Sequence, residues 1–212
     1  MKNYKISKGL AIFVAITGAI VMLGWIFNIG ILKSILPVWV TMKFTTAVCF
    51  VLSGITLYLI AISFESKFDI AQVFLPITIL IILLIMGVHL ASTFLGLRLK
   101  IGEIFIKEAN GAVRSVVSGR PSVPTMISFI LVATAGILTM LNLANLKSKL
   151  RFLGWIIIMI GTVAVLGYLV NAPFLYYYIK GKTTAMALHT AILFTLTGIS
   201  LVFLGGKKQL KH

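Results

Sequence analysis

The chain has 212 residues, 60% hydrophobic and 11% charged, with 19 Lys and Arg against 4 Asp and Glu and a net charge of +15. A soluble domain carries about 25% charged residues, so one soluble core cannot hide this much apolar side chain, and four acids leave little for carboxylate-based catalysis or proton relay. The single cysteine, Cys49, excludes an intrachain disulfide and a cysteine metal cluster.

A bilayer-spanning helix needs about 20 mostly apolar residues. Six stretches qualify: 9–32, 44–63, 70–95, 125–144, 152–172 and 184–205. The expected fold class is therefore an all-α integral membrane protein, one membrane domain over 1–212. Its six transmembrane helices form three repeated hairpins (9–63, 70–144 and 152–205), followed by a basic cytoplasmic tail at 206–212. The first stretch is too long for a cleavable signal, and no small-residue cleavage site follows it. Pro76 predicts a kink in the third. Residues 64–69 and 145–151 read as tight turns, and 33–43 and 173–183 as middle-sized loops. The longest connection is 96–124. Within it Ile104, Phe105, Val113 and Val116 alternate with Glu103, Lys107, Glu108 and Arg114, which predicts an amphipathic interfacial segment weakened by Gly111.

Basic residues set orientation through the short loops. With the N-terminus cytoplasmic, the inside holds Lys2, Lys5, Lys8, Lys67, Lys147, Lys149, Arg151, Lys207, Lys208 and Lys211, while the outside short loops hold only Lys33, Lys43, Lys180 and Lys182. The expectation is a multi-pass protein of the cell membrane with both termini cytoplasmic. The charge excess then reflects topology, and a nucleic-acid partner is not expected.

The first and last hairpins match each other. Leu23-Gly24-Trp25-Ile26-Phe27-Asn28 corresponds to Leu166-Gly167-Tyr168-Leu169-Val170-Asn171, at an offset of 143. After one inserted residue, Met42, Thr46, Ala47, Phe50, Leu52, Gly54 and Ile55 correspond to Met186, Thr190, Ala191, Phe194, Leu196, Gly198 and Ile199. The middle hairpin matches loosely through Ser128, Gly136 and Ile137. Small residues at helical spacing are what close packing in lipid requires, because lipid tails are as apolar as leucine.

Gly167-Tyr168 through Pro173, the tyrosines 176–178, and Met186-Ala187-Leu188-His189-Thr190-Ala191 with Phe194 and Gly198 resemble the final hairpin of a known family. Gly119-Arg120-Pro121-Ser122-Val123-Pro124-Thr125 resembles its middle-hairpin entry, which usually reads Gly-Arg-Met-Ser-Pro-Asn-Thr-Ala. This family is the multi-span membrane sensor region at the N-terminus of many prokaryotic sensor histidine kinases and diguanylate cyclases. The resemblance covers nearly the whole chain. It implies a prokaryotic signal-transduction sensor, but the family's asparagine is absent here. Only Lys207-Lys208-Gln209-Leu210-Lys211-His212 follows Gly206, so the expectation is either a stand-alone sensor-type module acting through a separate cytoplasmic partner or a resemblance that reports ancestry and not present function.

Polar residues inside spans are functional candidates by default. In the expected topology Asn28, His89, Asn171, His189, Thr46, Thr190 and Tyr168 fall at one depth near the outer leaflet, with Thr45, Ser128 and the aromatics Trp25, Trp39 and Tyr176 close by. These seven are the candidate ligand-binding residues, and the aromatics also fit an interfacial belt. His89 and His189 admit several uses: hydrogen bonding to a quinone or similar carbonyl ligand, axial ligation of haem, a metal ion with Met42 and Met186, or bonds to neighbouring hydroxyls that fix helix packing. No acid in the spans is available to support a metal-bound histidine, and neither a metal site nor any cofactor is expected. The expected function is a non-enzymatic sensor-like module that binds a small or apolar ligand. The alternatives are an accessory subunit of a larger membrane complex and a bis-histidine haem protein.

Overall fold

The computed structural model describes residues 2–36, 38–65, 68–97, 117, 119–179 and 183–206. Among them the regular structure is entirely helical: α1 (Lys2–Ile26), α2 (Gly30–Lys33), α3 (Phe44–Ser63), α4 (Phe68–Phe94), α5 (Val123–Met140), α6 (Leu146–Leu169) and α7 (Leu188–Leu204), with a 3-10 turn at Pro173–Tyr176. The amphipathic segment expected within 101–117 and the basic tail lie almost wholly outside the described residues. α1, α3, α4, α5 and α6 are long and apolar enough to cross a bilayer, whereas α7 has 17 residues. The predicted sixth span is thus shorter as a helix than its apolar run. Residues 184–187 are buried but not helical, because Met186 N–H donates to the Tyr176 carbonyl (3.0 Å) and the Met186 carbonyl accepts from the Tyr168 hydroxyl (2.8 Å).

Three long helices end in one way. Asn28, Gly96 and Asn171 follow α1, α4 and α6 in the left-handed region (φ 55°, 67° and 52°). In each case the next residue's N–H reaches back to the carbonyl five residues before it: Ile29 to Gly24 (2.8 Å), Leu97 to Ser92 (2.9 Å) and Ala172 to Gly167 (2.8 Å). This is the Schellman arrangement, which satisfies carbonyls a helix end leaves free and favours Gly or Asn at its left-handed position.

The turns send the chain back through α3, α5 and α7, which form the interior. Each pairs with the long helix before it, α1 with α3, α4 with α5 and α6 with α7. Each outer helix also touches one further inner helix, α1 with α7, α4 with α3 and α6 with α5. Residues 46, 50, 53, 57 and 60 of α3, 125, 129, 132, 136 and 139 of α5, and 190, 194, 197, 201 and 204 of α7 are all buried. The alternating spacing of four and three is that of a helix seam. At its centre Phe50, Phe129 and Phe194 form a closed triangle, every pair of ring centroids 4.8 Å apart.

Within the pairs, glycines bring backbones together. A Cβ on Gly18 would lie 2.8 Å from the Ala47 carbonyl, and one on Gly161 would lie 2.6 Å from that of Ala191. The outer helices α1, α4 and α6 turn large apolar side chains outward, among them Phe13, Phe74, Leu84, Trp155 and Met159, each more than half exposed. Water does not tolerate such a continuous surface, so the chain is a membrane-embedded multi-pass protein. Ser7 and Ser200 share a hydrogen bond (2.6 Å), so α1 begins and α7 ends at the same end of the bundle.

At the opposite end the Trp25 indole N–H donates to the Met42 carbonyl (2.8 Å), just as the Tyr168 hydroxyl donates to Met186. Each ties the exit of an outer helix to the start of an inner one. Trp25→Phe and Tyr168→Phe are each expected to cost about 0.5–1.5 kcal/mol, read as a lowered midpoint of thermal unfolding in detergent.

Candidate functional site

The site lies at the end away from the termini, where α3, α4 and the approach to α5 meet. The relative register of α3 and α4 is fixed by a buried hydrogen bond between Thr56 and Thr78 Oγ1 atoms (2.9 Å). Three helical turns toward the Trp25 end, eleven residues along each helix and about 16 Å on, stand Thr45 on α3 and His89 on α4. Eleven residues bring a helix back to nearly the same face, so both return to the α3–α4 interface. Both are buried, Thr45 at 1% and His89 at 1% exposure. The Thr45 hydroxyl and both ring nitrogens of His89 have no hydrogen-bond partner.

Two cations frame this pair. Lys43, buried at 4% exposure, occupies the N-cap of α3 two residues before Thr45. Arg120 is close enough to act electrostatically on His89, and its guanidinium donates to the Leu97 carbonyl (2.5 Å) beyond the end of α4. Ser92 and Thr93 both donate to the His89 carbonyl (2.8 Å each), holding that turn of α4. The arrangement offers an imidazole able to donate and accept, a hydroxyl and nearby positive charge. It suits a carbonyl or other acceptor on an apolar body.

The other candidate residues are placed differently. Asn28 and Asn171 are exposed left-handed residues at helix ends, and Asn28 accepts from Lys33 Nζ (2.7 Å). Thr46 and Thr190, each 2% exposed, belong to the inner seam one turn before Phe50 and Phe194. Tyr168 stacks on Tyr176 (4.3 Å) and lies beside Trp39 (5.4 Å). Beyond this cluster, the Tyr177 hydroxyl donates to the Ile160 carbonyl (2.9 Å), and burial pushes the Tyr177 phenol pKa up.

His189 sits at the second residue of α7, with Nε2 buried and unpaired. α4 and α7 share no extensive interface, so the two histidines are not presented across one helix contact. Among the described residues no group of three His, Cys, Asp or Glu side chains is arranged to hold a metal.

Sequence reading singled out His89 but not Thr45 as its neighbour. The signal available was the buried threonine pair Thr56 and Thr78, each eleven residues from a polar residue. Ser128 Oγ, and on the inner seam Ser53 Oγ and Thr197 Oγ1, are further buried hydroxyls without partners. No family model, no curated protein and no solved structure matches the chain.

Proposed function

We propose that the chain is a non-enzymatic membrane sensor module. A small apolar ligand bearing a hydrogen-bond acceptor binds between α3 and α4 at His89 and Thr45, and the repacking that follows is passed to a cytoplasmic partner at the end carrying the termini. The observation that supports this most is the His89 imidazole, buried with both nitrogens unpaired, at the same distance along the helices from the Thr56–Thr78 bond as the unpaired Thr45 hydroxyl. A buried polar group without a partner costs about 1–3 kcal/mol. A ligand that pairs these atoms therefore favours whichever helix packing admits it, and such differential affinity is what drives a conformational change.

In this reading α7 is the sixth crossing, with its helix of about 25 Å extended by the buried 184–187 segment, and both termini are cytoplasmic. The three helix pairs are repeats of one unit. Three Schellman ends, N-caps of closely similar geometry at Lys43, Ser122 and Ala187, and a phenylalanine seven residues after each cap support that reading.

The test uses a short-chain alkyl benzoquinone as probe, on purified wild type and His89→Leu. Thermal unfolding of the wild type is expected to shift upward with the quinone, by roughly 2.7 kcal/mol at a hundred times its dissociation constant, and that of His89→Leu is not. The leucine variant alone is expected to be at least as stable as the wild type, because it removes a buried polar group that has no partner to lose. A leucine variant markedly less stable without ligand would show that the imidazole is a satisfied packing residue and would overturn the proposal.

A further inference from the structure

At the end carrying the termini, α5 and α6 meet over a shorter interface than the other two junctions between neighbouring pairs. A groove of about 390 Å³ opens there, lined by Leu138 from the last turn of α5 and by Ser148, Lys149, Phe152 and Leu153 from the first turns of α6. Its composition is graded. Phe152 and the leucines form an apolar trough, and Phe152, 66% exposed, continues the outward-facing surface of α6 toward Trp155. Ser148 and Lys149 stand at its polar mouth, both exposed.

The charge at this mouth is unbalanced. Lys147, Lys149 and Arg151 crowd the start of α6, while the acids among the described residues are Glu65 and Asp69. Glu65 is engaged by Lys8, in the one ion pair among the described residues. Lys147 lies over the Phe64 ring at 5.8 Å, and Arg151 starts from the side of α6 that faces Gly205, so Lys149 is the cation that lines the groove itself. No side chain caps the N-terminus of α6, and the helix dipole adds to the positive potential.

We propose that this groove is a binding site for one anionic phospholipid, with an acyl chain lying along Leu138, Phe152 and Leu153 and the phosphate group held by Lys149 and Ser148. An apolar trough with a cation and a hydroxyl at its mouth complements a lipid whose charge sits directly above its chain. The site is independent of the sensor reading, since it lies at the other end of the bundle from His89.

Trp155 is the reporter. It is exposed on the lipid face of α6 one turn beyond Phe152, whereas Trp25 and Trp39 are at the opposite end. The full chain is reconstituted in phosphatidylcholine vesicles with a small fraction of phosphatidylglycerol, the bromine label being carried on the tails of one lipid or the other. Brominated phosphatidylglycerol is expected to quench the tryptophan emission out of proportion to its abundance. A cation near an anionic lipid contributes about fivefold in affinity, so Lys149→Gln is expected to reduce that preference about fivefold. Lys5→Gln removes a charge from the same end but not from the groove, and is expected to leave it unchanged. Quenching in simple proportion to abundance, an unchanged preference in Lys149→Gln, or an equal loss in Lys5→Gln would overturn the proposal. So would abolition of the preference by millimolar inorganic phosphate, because the site would then recognise a free anion and not a lipid.

Discussion

Phe50→Ala, Phe129→Ala and Phe194→Ala are each expected to lower stability by about 3–5 kcal/mol, the range for removing a buried aromatic ring. All three side chains are fully buried, and every edge of their triangle measures 4.8 Å between centroids, with interplanar angles of 66°, 50° and 64°. Tilted and edge-on ring pairs of this kind add about 0.5–1.5 kcal/mol beyond the area they cover, and each phenylalanine belongs to two of them. In a bilayer the helices gain little from hydrophobic burial against one another, since lipid is itself apolar, so close contact between side chains carries the association. The three substitutions are also expected not to add. Removing one ring leaves only one ring pair, so a second removal costs less than the first, and a double-mutant cycle should return a coupling of about 0.5–3 kcal/mol. The measurement is unfolding in mixed micelles followed by near-ultraviolet circular dichroism. Phe13→Ala and Phe74→Ala, on the outward faces at 54% and 52% exposure, serve as controls expected to move stability by less than about 0.5 kcal/mol. Equal losses in both sets would mean that the triangle does not hold the inner helices together.

Sequence reading reached two corners of this triangle and missed the third. Phe50 and Phe194 follow a shared Met-x-x-x-Thr-Ala pattern, but the middle pair carries Pro121, Ser122, Pro124 and Met126 where that pattern would be, and matching through Gly136 directs attention elsewhere. What the three helices share is a backbone geometry. Lys43, Ser122 and Ala187 all sit at φ near −70° and ψ near 150° before the first helical residue. Nearly any residue adopts that conformation, so side-chain identity does not disclose it.

The same distinction explains the other differences. Membrane class and most span positions were legible because apolar length is written directly in composition. The start of α7 was not, since an apolar run is equally compatible with helix or extended chain, and only contacts with Tyr168 and Tyr176 select between them. Asn28 and Asn171 stood out as polar residues near the ends of apolar runs. Their left-handed conformation gives them a backbone role that a ligand-based reading does not need. His89 was visible as an isolated polar residue, but its level relative to Thr45 depends on the register of two helices and emerges only once Thr56 and Thr78 are seen to touch.

Substitution of glycine by alanine is expected to change sign along this chain, and that reversal tests the packing directly. A Cβ on Gly54 would lie 2.5 Å from the Ala11 carbonyl and 2.6 Å from the Ala15 methyl group; one on Gly198 would lie 2.5 Å from the Gly154 carbonyl. These neighbours belong to the backbone of a packed helix and cannot swing aside. The α1–α3 and α6–α7 pairs must separate locally, giving up contact along several turns. Gly54→Ala and Gly198→Ala are each expected to cost about 1–3 kcal/mol, and valine at either position more. Gly9 and Gly87 have nothing within 4 Å of the same built atom, so alanine there only restricts the chain to helix and is expected to stabilise by up to about 1 kcal/mol. All four variants differ from the wild type by one methyl group within a helix, so helix propensity alone would move them together. Unfolding midpoints that rise for Gly9→Ala and Gly87→Ala and fall for Gly54→Ala and Gly198→Ala isolate the interhelical contact. Because Gly54 and Gly198 face backbone carbonyls at the same distance in the first and last pairs, their losses are expected to agree within the scatter of the measurement. A neutral Gly54→Ala or Gly198→Ala would mean that the corresponding pair does not approach as closely as its backbone contacts require.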